Sequence, residues 1–179
     1  MRTVFLGDSI TGGFIELERH GIINLGVIGH RTLEIIERLT EVKSLHPERL
    51  FLMVGVNDVL TNNHIGFTDF PIATESTYEF IVHYLANNLS TTDIYLLSVL
   101  PVRSLNIIHP SDEKKINQDI DRLNQQIEKL AKQYGFNYIN LNSDFKDTHG
   151  SLKQAFTTDG IHLSQQGYQF YYEKIKKLL

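Results

Sequence analysis

Four short stretches of this chain carry residue types that suit acyl transfer, although they lie far apart in sequence. The first is Gly7-Asp8-Ser9, which ends an apolar run close to the amino terminus. The second is Gly29 in "NLGVIGHRT", the third is Asn57 in "GVND", and the fourth is Asp159-Gly160-Ile161-His162. A serine hydroxyl attacks a carbonyl only when a base takes its proton. Histidine suits that task because it changes charge near neutral pH. A carboxylate on the second ring nitrogen fixes the tautomer and stabilises the imidazolium. The tetrahedral intermediate then needs donors for its oxyanion. The N–H groups of Ser9 and Gly29 and the Asn57 amide are candidates for three of them. Each residue also has a plain local reading. Ser9 can cap a helix, Asn57 and Asp58 can form a turn, Asp159-Gly160 can form another, and His162 is one of eight histidines.

The elements that must hold these residues are legible in the alternation of the chain. Short apolar runs at Val4–Leu6, Ile22–Leu25, Leu50–Val54, Ile94–Val99 and Tyr138–Leu141 read as strands. Between them lie helical patterns. Leu33, Ile36 and Leu39 share one face, as do Ile81, Tyr84, Leu85 and Leu89. The longest helix is expected from about Asp112 to Tyr134, with Ile116, Ile120, Leu123, Ile127 and Leu130 inward and Gly135 closing it. A last helix starts near Ser164 and turns Tyr168, Tyr171, Tyr172 and Ile175 to the core. Strands that are apolar throughout, alternating with amphipathic helices, predict a mainly parallel five-stranded sheet covered on both faces. The expectation is a single three-layer α/β/α domain, flavodoxin-like, spanning residues 1–179. Ser9, Gly29, Asn57 and the Asp159–His162 pair are read as following the first, second, third and fifth strands. In such a sheet these segments emerge at one edge, so the four stretches converge on one crevice. Two long irregular stretches, Asn57–Pro71 and Pro101–Ser111, are candidates for loops over it.

Composition narrows the classes. The chain has 179 residues, of which 41% are hydrophobic and 21% charged, with a net charge of -4 and no cysteine. Disulfides and thiolate chemistry are therefore absent, and no basic block marks a nucleic-acid surface. No apolar run approaches the ~20 residues of a membrane span. With only Met1 to Thr3 ahead of the first strand, no secretory leader is expected, and a cytoplasmic location follows as the default. No P-loop and no G-x-G-x-x-G follows a strand, and no H-E-x-x-H or close histidine pair is present, so neither cofactor nor metal is expected.

The four stretches together resemble the GDSL family of esterases and lipases in its SGNH hydrolase form. "GDSI" resembles the first block, with isoleucine in place of leucine. "NLGVIGHRT", "GVND" and "DGIHLS" resemble the other three, so the likeness spans residues 7 to 164. His30 departs from it, since many relatives carry an acidic residue there. The resemblance implies Ser9 as nucleophile, His162 and Asp159 as its partners, and Ser9, Gly29 and Asn57 as the oxyanion hole. It implies a small-molecule ester as substrate, with lipid esters, acyl thioesters and O-acetyl sugars all open, and it leaves homo-oligomer formation open. Ile65, Phe67, Phe70, Ile107 and Ile108 either line an acyl pocket or pack the long loops. His64, Arg103 and His109 are candidates for a polar leaving group. Outside the class, the same topology also suits a phosphoacceptor or nucleotide-binding domain with Asp8 and Asp58 at strand ends, or a non-catalytic binding module.

Overall fold

The computed structural model describes residues 2–65 and 71–179. Its order is β1 (Thr3–Gly7), α1 (Ser9–Gly12), α2 (Glu16–Arg19), β2 (Ile23–Gly26), α3 (Thr32–Ser44), β3 (Arg49–Met53), α4 (Val56–Asn62) and α5 (Thr74–Asn88). There follow β4 (Asp93–Leu97), α6 (Pro110–Tyr134), β5 (Asn137–Ile139), α7 (Asn142–Phe145) and α8 (Gln165–Ile175). The five strands form one sheet in the order β2-β1-β3-β4-β5, every pair parallel. This is the flavodoxin-like order, and the expected α/β class is the one observed.

The sheet is buried on both faces, which is why β1 and β3 read as continuous apolar runs rather than alternating ones. On one face, Phe5, Phe51 and Tyr95 sit side by side on β1, β3 and β4. Their rings stack at 4.4 and 4.5 Å. Phe14, ahead of α2, meets the edge of Phe5, and Tyr171 of α8 packs on Phe14. The other face lies under α3, α5 and α6, which pack in that sequence. The long helix α6 ends at Gly135 (φ 72°), as its sequence predicts.

Three expectations need correcting. In α3, Ile35, Leu39 and Val42 are the buried apolar positions, while Leu33 is 43% exposed. The helix carries apolar residues on more than one side, so spacing alone allowed the wrong register. The stretch Asn57–Pro71 is not irregular at its start, because α4 occupies Val56–Asn62. Phe67 and Phe70 lie outside the described residues. Finally, Asp159 and His162 do not follow the fifth strand directly. Helix α7, an antiparallel bridge between Lys146 and Leu152, and a 3-10 turn at Gln154–Phe156 come between. Among the described residues no helix is long and apolar enough to cross a membrane.

Candidate active site

The crossover from β2 over β1 to β3 places a crevice outside the carboxyl ends of β1 and β3, where sheets of this order hold ligands. Ser9 stands at the first of these ends. The cap of α1 is Asp8, whose carboxylate accepts the Ile10 N–H at 2.9 Å. Ser9 is therefore the first residue inside the helix, and its hydroxyl is not used as a cap. It lies 3.0 Å from Nε2 of His162. The Tyr168 hydroxyl donates to the Ile10 carbonyl at 2.9 Å and ties α8 to this turn.

His162 and Asp159 sit on a loop that braces itself. Thr157 and Leu163 form a bridge across its base. The Thr157 hydroxyl donates to the His162 carbonyl at 2.8 Å and accepts the Gly160 N–H at 2.9 Å. Gly160 has φ 102°, and its carbonyl takes the Arg103 N–H at 2.8 Å. A Cβ at this position would meet the Arg103 carbonyl oxygen at 2.1 Å, so only glycine fits. Within the loop, Asp159 Oδ1 accepts the N–H groups of Ile161 and His162 at 2.9 and 2.8 Å. Asp159 Oδ2 lies 2.6 Å from His162 Nδ1. Burial pushes the Asp159 carboxyl up, but the hydrogen bonds from the His162 ring and the two amides outweigh it and hold it below its ordinary range.

The third and fourth members reach the crevice from β2 and β3. Gly29 takes φ 79° in open space, so its backbone conformation and not crowding calls for glycine. Asn57, in the first turn of α4, donates one amide hydrogen to the His30 carbonyl at 2.9 Å. Among the described residues, that is the acceptor for one of its two amide hydrogens, and the second faces none. Ser9, Gly29, Asn57 and His162 all line one cavity of about 590 Å³. Leu60, Ile65, Ile107 and Ile161 give it an apolar side, and His30, Arg31 and Glu34 a polar one. Burial, followed by the Arg38 charge, pushes the His30 imidazole down from its ordinary value.

Several candidates have other work. Ile107 lines the cavity, but Ile108 is buried in the core. Arg103 pairs with Asp147 and donates to the Leu152 carbonyl. His109 caps α6 through Nδ1, which accepts the Ser111 N–H at 3.3 Å. His64 is an exposed residue at φ 59°. None of these three lines the cavity. Asp8 and Asp58, the pair a phosphoacceptor would present, are 1% and 0% exposed. Burial pushes their carboxyls up to about 7 and about 6. Among the described residues, no group of three or more His, Asp or Glu side chains is placed to hold a metal ion.

The spacing of titratable residues gave no sign that Asp58 is sealed inside. Only its place in the first turn of a buried helix explains it, and that helix was not foreseen.

Comparison with known proteins bears on the fold and the family. The chain is similar to a GDSL-like lipase from Bacteroides thetaiotaomicron, with 26% identity and a TM-score of 0.81, covering 99% of this chain and 86% of that one. An acetyl xylan esterase shares the fold at 22% identity and a TM-score of 0.79, with both chains covered in full. A curated Escherichia coli relative, N-acylneuraminate cytidylyltransferase, is 25% identical over 162 residues. That match takes in 87% of this chain, which spans about a third (34%) of the relative's length. The family model for the GDSL-like lipase/acylhydrolase family matches residues 5–170, and the chain belongs to that family.

Proposed function

We propose that this chain is a serine esterase that hydrolyses carboxylic esters through an acyl-enzyme on Ser9. The observation that carries the reading is the unbroken chain from Ser9 Oγ through His162 to Asp159, at 3.0 and 2.6 Å, on the wall of a cavity shared with Gly29 and Asn57.

An ionised Asp159 keeps the proton on His162 Nδ1, which leaves the Nε2 lone pair for the Ser9 hydroxyl. As Ser9 Oγ bonds to the ester carbonyl carbon, its proton passes to Nε2. The carbonyl oxygen becomes an oxyanion, met by the N–H groups of Ser9 and Gly29 and by the second amide hydrogen of Asn57. The Ser9 N–H suits this role because it opens α1, where first-turn donors have no acceptor within the helix. Nε2 then returns the proton to the departing alcohol oxygen. Water repeats the sequence on the acyl-enzyme, releasing the acid and restoring Ser9.

The cavity falls within the size range of small-molecule sites. Its apolar side suits an acyl chain, and the His30-Arg31 side suits a polar alcohol. A serine-directed organophosphonate should add once, at Ser9, and Ser9→Ala should lose turnover of p-nitrophenyl esters. Labelling at another residue, or turnover that survives Ser9→Ala, would falsify the reading.

A further inference from the structure

Asp58 takes no part in the proton transfers above, yet it is fully buried and adjacent to Asn57. Its carboxylate accepts the Thr32 N–H, with Oδ1 at 3.2 Å and Oδ2 at 3.1 Å, and the Thr32 hydroxyl at 2.5 Å. Thr32 is the first residue of α3 and is itself fully buried, with the Thr77 hydroxyl 2.6 Å from its own. As a partner for one first-turn donor this is a costly design, because the N–H groups that open a helix can be left to water at the surface. Burying a carboxylate for that purpose carries a desolvation penalty that an exposed cap avoids.

The neighbouring contact gives the arrangement a second purpose. Asn57 holds the His30 carbonyl while Asp58 holds Thr32, so two consecutive residues of α4 grip the chain on both sides of Arg31. Gly29 comes directly before this grip. Its segment is also tied by the His30 N–H to the Val27 carbonyl at 3.3 Å and by Arg31 to Glu34. Strand β2 is at the sheet edge, its pairing ends at Gly26, and the Val27 N–H reaches the Gly7 carbonyl at 3.1 Å. Beyond that the chain turns outward, with Ile28 82% exposed.

We infer that Asp58 is a positioning residue for the oxyanion hole: its bonds to Thr32, beside the bond from Asn57 to His30, fix the distance between the Gly29 N–H and the second amide hydrogen of Asn57. The inference rests on the esterase reading of the site. It explains why an acceptor-only group follows Asn57 at the start of α4. A donor set of this kind stabilises charge only when its members are held in place before the charge develops.

Thr32→Val tests it, since valine keeps the shape and removes only the hydroxyl. Thr32→Ser keeps the hydroxyl, and Asp58→Ala removes the acceptor altogether. With p-nitrophenyl acetate, Thr32→Val should lower kcat by roughly 10-fold, a part of the 10²–10³ lost with a whole donor, with KM nearly unchanged. Thr32→Ser should restore most of the rate. In an Asn57→Ala background, Thr32→Val should cost less than about twofold more, because the partner it positions is gone. If Thr32→Val melts earlier but turns over at the wild-type rate, Asp58 is a cap and nothing more. Equal losses in both backgrounds would also overturn the inference. Asp58→Ala, where it folds, should follow Thr32→Val and not exceed Asn57→Ala. Ser9→Ala, run alongside, separates the two claims. If it is inactive while Thr32→Val is normal, only the positioning role fails; if it is active, the esterase reading fails with it.

Discussion

Asp159 and Asp58 are both gripped by backbone N–H groups and by one polar side chain, yet their carboxyls move in opposite directions. Burial is the largest influence on each. At Asp159, whose side chain is 25% exposed, the hydrogen bonds win and the group is held below its ordinary range. At Asp58, which is sealed from water, they lose, and burial lifts it to about 6. The two regions are therefore built on different principles. The loop that carries His162 is stiffened by its own backbone, through Thr157, Gly160 and the bridge to Leu163. The β3–α4 junction is held by a carboxylate taken out of solvent. A region of the first kind should fail when its backbone is disturbed, and one of the second kind when its charge or acceptors are changed.

The sharpest test of the base side is Asp159→Asn. Asparagine Oδ1 can still accept both loop N–H groups, so the melting temperature should stay near wild type. The tautomer of His162 is no longer fixed, and kcat should fall by up to about 10⁴-fold. A variant that keeps its rate would remove the contrast between the two aspartates. On the other side, Asn57→Ala should lower kcat by about 10²–10³, or about 2.7–4 kcal/mol, while KM moves far less. A large rise in KM with kcat intact would instead place Asn57 in ground-state binding.

Gly160→Ala probes the backbone brace. The added Cβ meets the Arg103 carbonyl and a φ of 102° that alanine does not favour. Thermal unfolding should show a loss of about 1–3 kcal/mol. An unchanged melting temperature would mean that the loop has slack the contrast does not allow.

The smallest effect is a slope. Burial raises Asp8 from its ordinary 3.8 to about 7, helped by Asp58 and opposed by the Ile10 N–H and His162. Between those values the native state binds more protons than the unfolded chain, so this group's contribution to stability falls as pH rises. It is fully present below about 3.8 and lost by the time pH passes about 7. Melting temperatures of wild type and Asp8→Asn, compared from pH 5 to pH 8, should diverge, with wild type losing ground towards pH 8. Parallel curves would show that Asp8 does not titrate in this window.

Much of this was legible in the sequence. The five strands were visible because a parallel sheet buried on both faces leaves unbroken apolar runs. Ser9, Gly29 and Asn57 could be placed around one crevice because each ends or follows a recognisable strand. Asp159 and His162 were read as following the fifth strand and in fact come after α7, a bridge and a 3-10 turn. What could not be read depended on neighbours distant in the chain. Arg103 and His109 are ordinary polar loop residues until Asp147 and the start of α6 are seen beside them. The register of α3 was ambiguous because Leu33 and Ile35 both fit a helical period, and only the packing of α3 on α5 decides between them. Asp58 looked like half of a turn because its partner, Thr32, is 26 residues away.

Ser9 and His162 are separated by 153 positions, and α8, which ties down the turn after Ser9, comes later still. On the proposed reading, the nucleophile leaves the ribosome long before its base exists. At common translation rates of about 5–20 residues per second, that gap is roughly 8–30 s. Throughout that interval the nascent chain holds a serine with nothing to take its proton. The proposed centre is thus switched on by synthesis of the His162 loop, and ribosome-stalled chains that stop short of His162 should resist the phosphonate that labels the folded protein.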